Sequence, residues 1–206
     1  NDSITETFCC CVLKIDNPRW DGVPFILTAG KALERRMAEI RIQFKPVAGA
    51  AFMFEGATVP QNELVIEIQP SQEIKFATNL KMPGLQAHPI RSELDLTYKG
   101  MYDDIPNPEA YTRLILEVLR GNQAAFVRMD ELLQSWKIFE DVLQYISKHK
   151  SEPLPYTYGS TGPREAHQLM SYYGYNNNST GRAPRNRQAS VRGRFVGPHR
   201  RDSFDK

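Results

Sequence analysis

The chain has 206 residues, 41% of them hydrophobic and 24% charged, with a formal net charge of +2. That composition is ordinary for a globular protein and long enough for one domain plus a tail. No run is apolar enough to span a bilayer, no signal peptide opens the chain, and three consecutive cysteines (Cys9, Cys10, Cys11) make neither a disulfide framework nor a zinc spacing.

Thr5 to Ile15 is an apolar, β-prone run that reads as a strand buried on both faces, its thiols acting as small buried hydrophobes in a reducing compartment. An Asp21-Gly22 turn then leads through Pro24 into a second strand, Phe25 to Ala29. Proline fixes φ and lacks a donor, which suits the start of a strand. That strand delivers Lys31 to its exposed end, and Arg36 follows five residues later. Two cations where two elements meet can hold an anionic ligand, or can be solvated loop charges.

Ala38 to Phe44 alternates, with Ala38, Ile40, Ile42 and Phe44 on one face and Glu39, Arg41 and Gln43 on the other. Leu64 to Gln69 repeats the pattern, with Leu64, Ile66 and Ile68 expected inward. Lys75 to Leu80 and Leu94 to Tyr98 add two more strands. Strands joined by turns predict a largely antiparallel sheet.

The period then becomes helical. Asn107-Pro108 is expected to cap a helix bearing Tyr111, Leu114, Ile115, Val118 and Leu119 and ending at Gly121. Asp130 is expected to cap a second, with Leu133, Trp136, Phe139, Leu143 and Ile146 as a core stripe. A third opens at Thr161-Gly162-Pro163. The predicted fold is α+β, a largely antiparallel sheet with helices packed on one face, over residues 1–173. Residues 174–206 read as a disordered basic tail poor in Leu, Ile and Val. From Gly181 on, seven arginines and one lysine face two aspartates, a net of +6 that leaves the preceding body at −4. The tail's Arg-rich spacing permits weak nucleic-acid contact, but a solvated tail is the simpler reading.

The run Trp20-Asp21-Gly22-Val23-Pro24-Phe25 to Gly30-Lys31-Ala32-Leu33 resembles the glucose-6-phosphate dehydrogenase family. Collinear blocks follow at Ala38 to Phe44, Asn62 to Ile66, Ile68-Gln69-Pro70, Glu93 to Tyr98 and Tyr156 to Ser160, so the resemblance covers roughly residues 5 to 173. It implies the C-terminal domain of an enzyme that oxidises glucose 6-phosphate to 6-phosphogluconolactone with NADP in the pentose phosphate pathway. Lys31, Arg36 and Gln69 match positions that contact the sugar phosphate. The chemistry suits them: a lysine point charge, a forked arginine, and an amide that both donates and accepts. Taken without the resemblance, Gln69 reads first as a solvated strand residue, and the resemblance reverses that order.

No catalytic or metal-binding residue is expected here. The glycine-rich coenzyme turn and the family's Asp-His-Tyr segment are both missing, and His88, His149, His167 and His199 read as solvated. The chain starts at Asn1 without a methionine and is read as the C-terminal part of a longer polypeptide, inactive by itself. The family's second, non-catalytic NADP site would use Arg41, Asp95 and Thr97, which are kept. Thr28, Met37, Glu67 and Thr161 stand where the family places Arg or Lys, and Lys75 where it usually places Tyr. These departures imply a lost or very weak second site. They also leave open a degenerate paralogue acting as a non-catalytic interaction module. The resemblance further implies a homo-oligomer, dimer or tetramer, formed through the sheet, in cytoplasm or plastid and not secreted.

Overall fold

The computed structural model describes residues 3–53, 59–81, 84–85, 89–98, 102, 105–106 and 108–175. Asn107, His88, His199 and the expected tail beyond residue 175 lie outside them. Six strands form two antiparallel sheets. β1 (Phe8–Leu13) pairs with β2 (Phe25–Gly30) in a two-stranded sheet. β3 (Ala38–Gln43), β4 (Glu63–Gln69), β5 (Glu73–Lys81) and β6 (Pro89–Thr97) form the second sheet in chain order. Four helices complete the described elements: α1 (Ala50–Met53), α2 (Ala110–Leu119), α3 (Met129–His149) and α4 (Arg164–Tyr172). The α+β class expected from the pattern is the class observed. Among the described residues, no helix is long and apolar enough to cross a membrane.

The β1–β2 hairpin begins as its turn residues dictate. Gly22 takes φ +70° and Val23 N–H donates to Trp20 C=O at 3.0 Å. β2 starts directly after Pro24, and Trp20 closes on Phe25 edge to face, with ring centroids 5.2 Å apart. β1 is half-buried and not buried on both faces as expected. Its two-stranded sheet has no second layer over Cys9, which is exposed, while Cys10 and Cys11 are partly covered. Burial pushes both of those thiols up.

In the four-stranded sheet the register stacks whole rows of like character. Ile40, Ile66, Ile74 and Leu96 lie side by side across the strands, and so do Ile42, Leu64, Phe76 and Leu94. Phe44 adds an edge contact to Phe76, with centroids 6.1 Å apart. The opposite face carries Arg41, Val65, Lys75 and Asp95 in one row and Glu39, Glu67, Glu73 and Thr97 in the next. A bulge between Ala38 and Glu39 absorbs the change of register that pairs Ala38 with Gln69.

Which face is covered reverses the expectation. The apolar rows are open, with Ile40 50% and Leu94 58% exposed, whereas Glu63 is only 3% exposed. Grouping by face follows from the two-residue period, but the direction of burial depends on the covering layer. The C-terminal segment beyond α4 reaches the polar face, where Tyr175 lies beside Arg41. The helices differ in how far they are covered among the described residues. α2 and α3 bury no residue, and Trp136 is 64% exposed and not core. Their stripes have no covering layer among the described residues. α4 buries Ala166 and Met170. α3 also starts earlier than expected: Arg128 is its N-cap and Asp130 lies in its first turn, bound by Arg128 at 2.6 Å. α2 starts at Ala110 with Glu109 as N-cap, past Pro108.

Phe8 locks the small sheet to the loop before α4. A methyl at Gly162, whose φ is +110°, would lie 2.5 Å from Phe8 Cε2. Gly22 also has positive φ, but a methyl there meets nothing within 4 Å. Gly162→Ala therefore combines backbone strain with a clash and is expected to cost about 3 kcal/mol, against about 1 kcal/mol for Gly22→Ala. Thermal unfolding of the two variants checks this; equal losses of Tm would contradict the packing of Phe8.

Candidate functional site

Lys31 follows the last residue of β2, as the strand reading expects. Its N–H donates to Thr7 C=O at 2.8 Å, one step beyond the Phe8–Gly30 pair. The side chain is exposed, and among the described residues it enters no ion pair. Ala32 next takes φ +55°, a left-handed conformation unusual for a residue with a Cβ. It turns the chain off the sheet into the connection that carries Arg36, which is also exposed.

Gln69 is the last residue of β4, followed by a cis bond to Pro70. Its register partner is Ala38, two residues after Arg36. The bulge and register thus bring Arg36 and Gln69 to one end of the β3–β4 pair. Lys31 stands at the end of the other sheet, on the same connection as Arg36. Among the described residues no hydrogen bond or ion pair joins the three side chains. A depression of about 340 Å³ is lined by Ala32, the residue after Lys31, and by Thr7, Leu154, Tyr156 and Tyr158; Lys31, Arg36 and Gln69 do not line it.

The loop after α3 holds this region in place. Tyr156 Oη lies 2.8 Å from Lys31 C=O, Gly159 N–H donates to Ala32 C=O at 2.8 Å, and Glu34 N–H donates to Ser160 C=O at 3.0 Å. Sequence pattern alone does not single out Tyr156. The Tyr156 to Ser160 block was visible as a motif, but an aromatic in a loop does not announce its partner.

Arg41, Asp95 and Thr97 share the polar face of the large sheet, together with Glu67 and Lys75. Arg41 is clamped by Glu39 and bonded to Glu63 at 3.4 Å, while Arg91 reaches the other oxygen of Glu63 at 3.1 Å. Arg35 pairs with Glu39 at 3.4 Å. Lys75 contacts Glu73 and lies 3.6 Å from Glu67, which also accepts from Ser71 Oγ at 2.9 Å. Burial pulls the Arg41 guanidinium down, but the Glu39 hydrogen bond and the charges of Glu39 and Glu63 outweigh it and hold Arg41 above its ordinary range. Burial raises Glu67, but Ser71 and the Lys75 charge prevail, so its carboxyl sits below its ordinary value. Each cation named on this face already has a carboxylate. A dinucleotide phosphate there would have to displace those carboxylates from half-buried partners, so the residues present do not fit a second NADP.

Thr28 and Thr161 are also committed inside the chain. Thr28 Oγ1 donates to Cys10 Sγ at 3.8 Å. Thr161 Oγ1 lies 3.0 Å from His167 Nε2, so His167 is a bonded, half-buried residue of α4 and not solvated as expected. His149 stays at the surface, stacked on Tyr145 at 4.1 Å. Among the described residues no His, Cys, Asp or Glu cluster could hold a metal ion.

The family model described as glucose-6-phosphate dehydrogenase, C-terminal domain, matches residues 1–178. Glucose-6-phosphate 1-dehydrogenase of Bos indicus is 49% identical over 173 residues, covering 84% of this chain and 33% of that protein. Cytoplasmic glucose-6-phosphate 1-dehydrogenase 5 of Arabidopsis thaliana is 49% identical over 175 residues, covering 85% of this chain and 34% of its own length. A solved glucose-6-phosphate dehydrogenase in complex with its substrate glucose-6-phosphate superposes with a TM-score of 0.77 at 43% identity, over 85% of this chain and 36% of that one. The chain belongs to the glucose-6-phosphate dehydrogenase family and has the fold of its C-terminal domain. It spans about a third of the length of the relatives it matches.

The depressed Glu67 carboxyl fixes a pH dependence. Its stabilising contribution is present above the ordinary value of 4.5 and is lost as pH falls through the lower folded value. Glu67→Gln is expected to be about 1 kcal/mol less stable than the parent chain at neutral pH, with the gap closing in acid. Denaturant unfolding across the acid range measures this, and a gap that is constant with pH would contradict it.

Proposed function

We propose that this chain is the substrate-binding and dimerisation domain of an NADP-dependent glucose-6-phosphate dehydrogenase, which oxidises glucose 6-phosphate to 6-phosphogluconolactone. The observation that carries the reading is the register that sets Gln69 opposite Ala38. It gathers Arg36 and Gln69 at one sheet end, on the connection that starts at Lys31. Lys31 and Arg36, neither in an ion pair among the described residues, supply positive charge for the phosphate, and Gln69 donates to one sugar hydroxyl while accepting from another. NADP, when bound, supplies the hydride acceptor. The coenzyme-binding turn and the general base are proposed to come from the remainder of a longer polypeptide, which makes this chain inactive alone.

The open apolar rows support a homo-oligomer formed through the large sheet. Ladders of Ile, Leu and Phe side chains on one sheet face are what a second copy would cover. The polar face supports the absence of a second NADP, because its cations are neutralised by Glu39, Glu63, Glu67 and Glu73. We place the folded domain at residues 1–173 and a basic tail at 174–206 on the change in composition. The cytoplasm is the proposed compartment, as for the Arabidopsis relative.

Three measurements on the full-length protein test this reading. Lys31→Ala is expected to raise KM for glucose 6-phosphate by roughly 10- to 100-fold, read from NADPH formation, since a charge-assisted contact is lost; an unchanged KM would contradict the phosphate role. Leu94→Lys is expected to shift the oligomer toward monomer in sedimentation, and an unchanged mass would place the interface elsewhere. Equilibrium titration is expected to find a single NADP per chain, and a second tightly held molecule would contradict the neutralised face.

A further inference from the structure

We propose that Tyr156 is the positioning residue for Lys31, setting through one phenol oxygen where the lysine's ammonium can reach. This rests on the reading of Lys31 as the phosphate ligand.

A lysine side chain has four rotatable carbons and no ion pair here to aim it, so its backbone anchor decides the volume it can sample. Lys31 has that anchor on both sides. Its N–H donates to Thr7 C=O at 2.8 Å, and its C=O accepts from Tyr156 Oη at 2.8 Å. The same phenol oxygen lies 3.0 Å from Thr7 Oγ1 and 3.1 Å from Thr7 C=O. One O–H donates once. The shortest acceptor is Lys31 C=O, and the Thr7 hydroxyl can donate back to the phenol oxygen. Tyr156, 125 residues along the chain from Lys31, thereby ties the start of β1 to the end of β2.

The tie matters because the next residue is the left-handed Ala32. A residue with a Cβ stays in that region only when its surroundings enforce it. The Tyr156 bond before it and the Gly159 bond to its own carbonyl provide that enforcement. The ring and the hydroxyl have separable duties. The ring packs against Phe8, with centroids 5.5 Å apart, and Phe8 fills the space beside Gly30 and Gly162. Tyr156→Phe keeps that packing and removes the hydroxyl alone.

The test uses the full-length enzyme as wild type, Tyr156→Phe, Lys31→Ala and the double variant. Tyr156→Phe is expected to raise KM for glucose 6-phosphate by roughly 3- to 10-fold, the range of one hydrogen bond, with KM for NADP unchanged. In the Lys31→Ala background it is expected to add nothing, because a residue acting through Lys31 has no further effect once the ammonium is gone. Effects that multiply, or a fall in Tm with KM unchanged, would overturn the proposal and leave Tyr156 a fold staple. If wild type neither binds nor oxidises glucose 6-phosphate, the proposed function fails, and amide exchange then decides the positioning. Faster exchange at the Lys31 N–H in Tyr156→Phe supports it, and unchanged exchange overturns it.

Discussion

The bond between Tyr156 and the backbone of Lys31 is the constraint that holds the small sheet to the loop before α4. It joins a loop near the end of the described chain to the end of a strand near its start. Around it, Gly159 and Ser160 bind the backbone of Ala32 and Glu34, and Phe8 wedges between Gly30 and Gly162. Backbone polar groups leaving a sheet edge need partners, and these loop residues supply them. The small sheet is thus braced by the loop before α4, and Lys31 leaves it in one direction.

The large sheet solves a different problem. Its polar face is the covered one, and a covered charge is tolerated only when paired and hydrogen-bonded. Glu63 shows how this is met: one oxygen binds Arg41 and the other binds Arg91. Glu67 is met in the same way by Ser71 and Lys75. Glu67 and Lys75 lie 3.6 Å apart, and each supplies the other's counter-charge. Such a face is self-sufficient and has no surplus charge for a phosphate.

Much of this was legible in the residues. The two-residue period sorted Ile40, Ile42, Leu64 and Ile66 onto one face and Glu39, Arg41 and Glu67 onto the other, because alternation is a local property of a strand. Which face would be covered was not legible, since a covering layer is a tertiary fact. Trp136 failed for the same reason: a helical stripe predicts amphipathicity, not a partner. Asp130 was misplaced as a cap because a first-turn aspartate and an N-cap aspartate satisfy the same helix end. Lys31 was legible from Pro24, the apolar run and Gly30, and from the resemblance. The hydroxyl of Tyr156 was not, because its partner lies too far along the chain for any spacing rule.

The most direct test of the account is a crystal structure of the full-length protein with glucose 6-phosphate. The account predicts the phosphate within hydrogen-bond distance of Lys31 Nζ, with Arg36 and Gln69 on the same ligand and the Tyr156–Lys31 bond retained. A sugar phosphate bound elsewhere, with Lys31 left in solvent, would contradict it.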